Sequence, residues 1–237
     1  MRLHRFYSSE KIGTRTELTI IDADVVHQIR RVFRLRPEDF IIMFDGSGYE
    51  YTCAIMSYDE EDRMTLAVRE SAHARFTPSL GQRLWLFAAL VKKDTFETIV
   101  EKATELGVTD IVPVLAERSE KKSTNEARVS KIVMEASEQS GRGDLPTVHE
   151  VMSLKDCIDL CGSEGITRMT AFHTDGAQFR HAEDSQIEAL FIGPEGGWSP
   201  SEVDLFHTAK ILVRCLGPQV LRAETAVVAA LSQIVFR

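Results

Sequence analysis

The spacing of apolar residues changes once along the chain, and the change divides it in two. Up to residue 72 the apolar positions come in short alternating runs: Leu18–Ile21, then Asp39–Tyr58 around an Asp45-Gly46-Ser47-Gly48 turn, then Met64–Glu70. Alternation broken by a DG-type turn predicts hairpins, and three or more such segments predict a small β-barrel interrupted by a short helix over Val25–Phe33. The stretch from Ser71 to Ser79 has no apolar period and ends in Pro78-Ser79, which predicts a linker. From Leu84 onward, buried-strand runs alternate with amphipathic helical patterns, as in a parallel sheet covered by helices. Strands are expected at Leu84–Leu90, Asp110–Leu115, Arg168–Phe172, Ala189–Gly193 and Ile211–Leu216, and helices at Phe96–Leu106, Arg128–Ser140 and Ala226–Phe236. The division is therefore 1–72 and 73–237. The final helix is apolar almost all round, which requires cover from the sheet or from a second subunit.

Composition narrows the class without naming a function. With 43% hydrophobic and 27% charged residues over 237 positions, the chain reads as globular, and no apolar run reaches the roughly 20 residues that span a bilayer. The polar, basic start MRLHRFYSSEK lacks the apolar centre of a secretory signal, so a cytoplasmic location is expected. Cys53, Cys157, Cys161 and Cys215 are scattered, and neither they nor the seven histidines show metal-ligand spacing. Free, mostly buried thiols and no metal are expected. The net charge of -8 argues against holding nucleic acid by bulk positive charge, because such affinity comes from neutralising phosphates. It leaves room for a local patch: Arg30, Arg31, Arg34 and Arg36 crowd together, and Arg2, His4 and Arg5 form a second basic group.

The chemistry is expected in two loops. In Phe191-Ile-Gly-Pro-Glu-Gly-Gly-Trp-Ser-Pro-Ser-Glu202 a buried strand enters a glycine-rich loop and then a helix, whose start is marked by Ser199, Pro200 and Glu202. Gly193, Gly196 and Gly197 allow close approach of a ligand, and Glu195 is the ionisable side chain among them. Leu216-Gly-Pro-Gln-Val-Leu-Arg-Ala-Glu-Thr-Ala226 repeats the theme after the next strand. Ligands of open α/β sheets lie beyond the carboxyl ends of strands, so both loops would face one crevice. Arg222, Glu224 and Thr225 either meet that ligand or cap the last helix. No GxGxxG follows an early strand and no GxxxxGK[ST] occurs, which excludes the common dinucleotide and triphosphate loops.

These motifs resemble the bacterial small-subunit (16S) rRNA uridine-N3 methyltransferase family, of the knotted SPOUT class. The likeness runs through His4-Arg-Phe6, Val32-Phe-Arg-Leu-Arg36, Phe44-Asp-Gly46, Lys102–Gly107, Glu117-Arg-Ser119, Glu138-Gln-Ser140 with Arg142, Ile192–Gly197 and Leu221–Ala226. Lys92-Lys93 departs from the Lys-Gly frequent in the family. The resemblance implies an N-terminal PUA-like β-barrel that binds RNA and a C-terminal α/β domain with a trefoil knot, its cofactor site at about 191–226. It implies S-adenosyl-L-methionine held by Gly193, Pro194, Glu195, Gly196, Leu216, Gly217, Leu221, Ala223 and Thr225. It further implies a homodimer acting on small-subunit rRNA, in the assembled small subunit, and no membrane. Arg222 is the expected stabiliser of charge on the base, Glu224 or Glu195 the proton acceptor, and Arg2, Arg5, Arg31, Arg34, Arg36 and Arg142 the RNA contacts. Ribose 2'-O-methylation, or RNA binding without catalysis, are the alternatives.

Overall fold

The computed structural model describes residues 3–60, 63–78, 81, 83–179 and 186–236, which fall into two compact units. The first comprises residues 1–80 together with 137–144. Its strands are β1 (Arg5–Tyr7), β2 (Glu17–Ile20), β3 (Phe40–Phe44), β4 (Tyr49–Tyr58) and β5 (Met64–His73), in the order β1-β3-β4-β5-β2. This sheet curls around Phe6, Leu18, Ile41, Met43, Ile55 and Leu66, with Val25, Val26 and Ile29 closing the core from helix α1 (Ala23–His27) and the wider π-helical turn Gln28–Val32. In β3 and β4 the alternate residues Ile41, Met43, Tyr51, Cys53 and Ile55 belong to this core, while Phe44 and Ala54 are buried as well. At the β3–β4 turn, Gly46 and Gly48 take φ of 73° and 86°. The Asp45 carboxylate inside the turn accepts from Ser47 and from the Ile12 backbone at 2.7 Å. Burial opposes its charge, but these bonds and the nearby Lys11 ammonium outweigh that and hold its pKa below the usual value.

Two readings of this half change. Arg5–Tyr7 forms a strand, parallel to β3, that its polar neighbours hid. Ser71–His73 is the end of β5 and not linker, because Tyr49–Thr52 of β4 continue the ladder and Tyr49 packs on His73 at 4.2 Å. An exposed ladder needs backbone partners, not apolar side chains, so the periodicity there is silent. Ser79 lies outside the described residues.

The second unit comprises residues 81–136 and 145–237. It contains β6 (Trp85–Ala89), α2 (Lys93–Glu105), β7 (Asp110–Leu115), α3 (Glu126–Ser140), whose last residues group with the first unit, β8 (Thr147–Val148), β9 (Met152–Ser153), α4 (Leu154–Ser163), β10 (Met169–Gln178), β11 (Ala189–Ile192), α5 (Pro200–Thr208), β12 (Leu212–Cys215) and α6 (Ala223–Val235). The sheet is parallel, in the order β12-β10-β11-β6-β7-β8, with β9 also on β7. Strands β6 and β11 are buried along their whole length, which is why they read as unbroken apolar runs. Phe96, Ile99, Val129, Val133, Val227 and Leu231 from α2, α3 and α6 cover one face. Leu154, Cys157, Cys161 and Phe206 from α4 and α5 cover the other. Burial pushes the Cys157 and Cys161 thiols up to about 12, consistent with core packing and inert chemistry. Among the described residues no helix is long and apolar enough to cross a membrane.

Strand β10 carries an irregularity that matters for the site. Its register against β12 shifts between Phe172 and Ala177, so His173-Thr-Asp-Gly176 leaves the ladder as a bulge. The bulge rests on Gly176, where an added Cβ would stand 2.5 Å from the Arg214 carbonyl carbon. Neither backbone can yield without breaking the ladder. Gly176→Ala is therefore expected to cost about 1–3 kcal/mol, the range for overpacking, measured as a lower urea midpoint at constant m-value.

Candidate active site

Strands β10, β11 and β12 deliver three chain segments to the same end of the sheet. After β11, the loop 193–199 turns into α5 through a complete capping box. The Ser199 hydroxyl accepts from Glu202 N at 3.2 Å, the Glu202 carboxylate accepts from Ser199 N at 2.7 Å, and Pro200 opens the helix. The buried Glu202 spends its second oxygen on Glu117 N, 2.9 Å away, just after β7. Ser201 donates to Glu117 at 2.7 Å, and bonds from Ser201 and Ser199 hold the Glu117 pKa below the usual carboxylate value. Arg118 in turn donates to the Gly196 carbonyl at 2.6 Å. The glycine loop is thus held from the helix behind it and from the neighbouring strand end.

The glycines do separate jobs. Gly197 has φ +67°, a left-handed turn that a side chain resists. Gly193 lies flat against the buried indole of Trp198, where a Cβ would come within 3.1 Å of Nε1. At Gly196 a Cβ would press on the Arg118 side chain at 3.3 Å.

Between this loop, the β10 bulge and the loop after β12 lies a cavity of about 410 Å³. Gly193, Pro194, Glu195, Gly196, Leu216, Gly217, Leu221 and Ala223 all line it, so the structure brings together the two loops singled out in the sequence. Thr225 is exposed on α6 and does not line it. Arg222, the exposed N-cap of α6, and the half-buried Glu224 in its first turn flank the cavity without lining it. No side chain caps α6, and neither Arg222 nor Glu224 has a side-chain partner among the described residues, which disposes of the capping explanation for this polar group. Sequence reading missed Arg118, His173, Thr174 and Asp175. The polar run His173-Thr-Asp-Gly after an apolar strand was the available signal.

In the first unit, Arg31, Arg34 and Arg36 are exposed, and Arg34 takes a left-handed φ of 57°. Arg5 and Arg142 are not surface cations. The Arg5 guanidinium is buried, paired with Glu50 and donating to the Arg142 carbonyl at 3.1 Å. Arg142 is fully buried against Asp144 at 2.8 Å, and this burial lowers its pKa. Both guanidiniums are paired with a carboxylate and covered, so neither is presented at the surface. Arg2 lies outside the described residues.

A parallel sheet whose strand ends feed glycine loops into one cavity defines a ligand-binding α/β domain, and its sequence pattern is a known one. The chain belongs to the RNA methyltransferase domain family, whose pattern matches residues 78–235. It is 30% identical to the ribosomal RNA small subunit methyltransferase E of Bacillus subtilis, over 92% of this chain and 89% of that protein. The crystal structure of the ribosomal RNA small subunit methyltransferase E of Neisseria gonorrhoeae bound to S-adenosyl methionine covers 98% of this chain and 96% of its own, at 27% identity and a TM-score of 0.84. The structure of a Legionella pneumophila protein in complex with the bound cofactor SAM covers 99% of this chain and 97% of its own, at 26% identity and a TM-score of 0.88. The curled N-terminal sheet and the parallel α/β sheet together make the SPOUT-class architecture that the resemblance implied.

Proposed function

We propose that this chain transfers the methyl group of S-adenosyl-L-methionine to N3 of a uridine in small-subunit rRNA. It does so as a cytoplasmic homodimer acting on the assembled small subunit. The observation that carries the reading is the cavity between the two glycine loops, in a chain similar over nearly its whole length to small-subunit rRNA methyltransferases. Its volume lies within the roughly 300–1,000 Å³ of small-molecule sites, and its walls mix apolar side chains, Phe172, Ile192, Leu216 and Ala226, with glycine backbone. Gly193, Pro194, Gly196, Leu216, Gly217, Leu221 and Ala223 would hold the cofactor. When bound, it supplies a sulfonium-borne methyl carbon, which N3 takes with its own electron pair, leaving the thioether.

The residues of the chain then have two tasks. N3 carries a proton, and a carboxylate at the cavity can accept it; Glu195 lines the cavity and Glu224 does not, which favours Glu195. As the proton leaves, negative charge spreads to the uracil oxygens, and Arg222 at the rim supplies the opposing charge. Incubating the protein with labelled cofactor and small ribosomal subunits, then analysing the nucleosides, is expected to show N3-methyluridine. Methyl found on ribose, or on no nucleoside, overturns the reading.

The exposed Arg31, Arg34 and Arg36, on the π-helical turn and the segment after it, are the proposed RNA contacts of the first unit. Replacing all three by alanine is expected to weaken RNA binding and to make the salt dependence shallower by about 0.7–0.9 log units per lost phosphate contact, with cofactor affinity intact. Filter binding across a salt series measures it. For the dimer, the support is apolar surface left open on and near α6: Val228 remains 38% exposed and Val220 80%. Sedimentation at submicromolar concentration is expected to show a dimer.

A further inference from the structure

Gly196 is a glycine for a reason other than its backbone. Its φ is not left-handed, yet an added Cβ would stand 3.3 Å from Arg118 Cδ and 3.4 Å from Arg118 Cβ. The space over Gly196 is taken by the arginine stem. A side chain at this position would lift that stem off the loop.

Arg118 Nη1 donates to the Gly196 carbonyl at 2.6 Å, and among the described residues no carboxylate lies within ion-pair distance of it. Its charge is spent on a backbone oxygen, which makes a shorter and stronger bond than a neutral donor does. The N–H of the same peptide unit, on Gly197, donates to the Pro194 carbonyl at 2.8 Å. The Gly196–Gly197 peptide is thus held at both ends. Between two glycines it would otherwise turn easily, since neither neighbour has a Cβ to restrict it.

Arg118 is itself set in place by its neighbours. The Glu117 N–H donates to the buried Glu202 carboxylate at 2.9 Å, the Glu117 carboxylate accepts from Ser201 at 2.7 Å, and the Ser119 hydroxyl accepts from the Ala116 N–H at 3.1 Å. With the backbone fixed on both sides, the guanidinium loses less freedom in reaching Gly196 than a long exposed side chain usually does. The clasp joins the end of β7 to the glycine loop across 78 positions of sequence.

We propose that Arg118 is a positioning residue for the cofactor: by clasping the Gly196 carbonyl it keeps the Gly196–Gly197 peptide in the shape that receives S-adenosyl-L-methionine before the ligand arrives. This deepens the function proposed above and rests on its cofactor site. An apparent dissociation constant is the intrinsic one divided by the fraction of loops already competent, so loss of the clasp that lowers this fraction to about a tenth weakens binding about tenfold. Once the ligand is bound the loop is competent, and the transfer step is little affected.

Arg118→Ala is therefore expected to weaken calorimetric affinity for S-adenosylhomocysteine about tenfold and to raise the half-saturating cofactor concentration by the same factor, with the saturated rate falling less than about twofold. In the cofactor-free protein, amide exchange of residues 193–199, read by mass spectrometry, is expected to be on the order of ten times faster. Arg118 is exposed, so the melting temperature is expected to change little. Gly196→Ala, which crowds the stem, is expected to weaken affinity in the wild-type background and to add nothing beside Arg118→Ala. The inference is overturned by unchanged affinity in Arg118→Ala, by a saturated rate or a melting temperature that falls in step with affinity, or by additive effects of the two substitutions. It is equally overturned by lost affinity with unchanged loop exchange, which would make Arg118 a direct ligand contact. A wild-type protein that binds no S-adenosylhomocysteine overturns the cofactor reading and this inference with it, whereas normal wild-type binding beside an unimpaired Arg118→Ala overturns this inference alone.

Discussion

Gly196→Val is expected to remove cofactor binding while leaving the fold in place. The backbone at Gly196 does not need a left-handed conformation, so a side chain there meets a problem of space and not of strain. Its first carbon already touches Arg118 at 3.3 Å, and the two methyl groups beyond it have the cavity as their remaining room. Arg118 must shift, which loosens its bond to the Gly196 carbonyl and with it the hold on the loop. If overpacking costs the ligand about 3 kcal/mol, affinity falls on the order of 100-fold. Gly196 is exposed and no helix or strand depends on it, so the melting temperature is expected to move little. Calorimetric titration with S-adenosylhomocysteine beside a thermal melt separates the two. Unchanged affinity would mean that the loop is only a turn.

Arg222→Ala is expected to lower the rate of methyl transfer by roughly two to three orders of magnitude, the usual size of one preorganised electrostatic contact, with a much smaller change in cofactor affinity. The reasoning starts from how poorly the helix is served by this residue. Arg222 is the N-cap of α6, where its side chain makes no capping bond, and a cation at a helix N-terminus opposes the macrodipole. It has no ion-pair partner among the described residues and is exposed, so its removal leaves no buried charge behind. Stability should stay within about 0.5 kcal/mol, as for other surface substitutions. Its neighbours Leu221 and Ala223 both line the cavity, so Arg222 stands beside the rim, where the proposed substrate base would arrive. Single-turnover kinetics on small subunits, with denaturant unfolding as the control, tests this. An unstable variant whose folded fraction methylates at the normal rate would reassign Arg222 to structure.

Most of the fold could be read from local physics. Asp110–Leu115 is a strand with the bounds its apolar run implied, and the capping box at Ser199–Glu202 sits at the start of α5, because both depend on residues within a few positions of each other. The two glycine loops were legible for the same reason: glycine and proline mark turns wherever the chain folds. The capping box could be found in sequence, but not that its glutamate also binds Glu117 across 85 positions and so ties the loop to β7.

What sequence alone determined was therefore the alternation of elements, the helix starts and the loops that carry the chemistry, since each arises from contacts between near neighbours. The tertiary structure decided which charges are available and what lies beside the loops. Arg5 and Arg142 look like surface cations in the sequence and become buried ion pairs because Glu50 and Asp144 take them up in the curled sheet. His173 and Asp175 look like the polar end of a strand and become the wall of the site, because the register of β10 slips against a strand some 40 residues further on. Burial and register are set by partners distant in the chain, and no local pattern of residues records them.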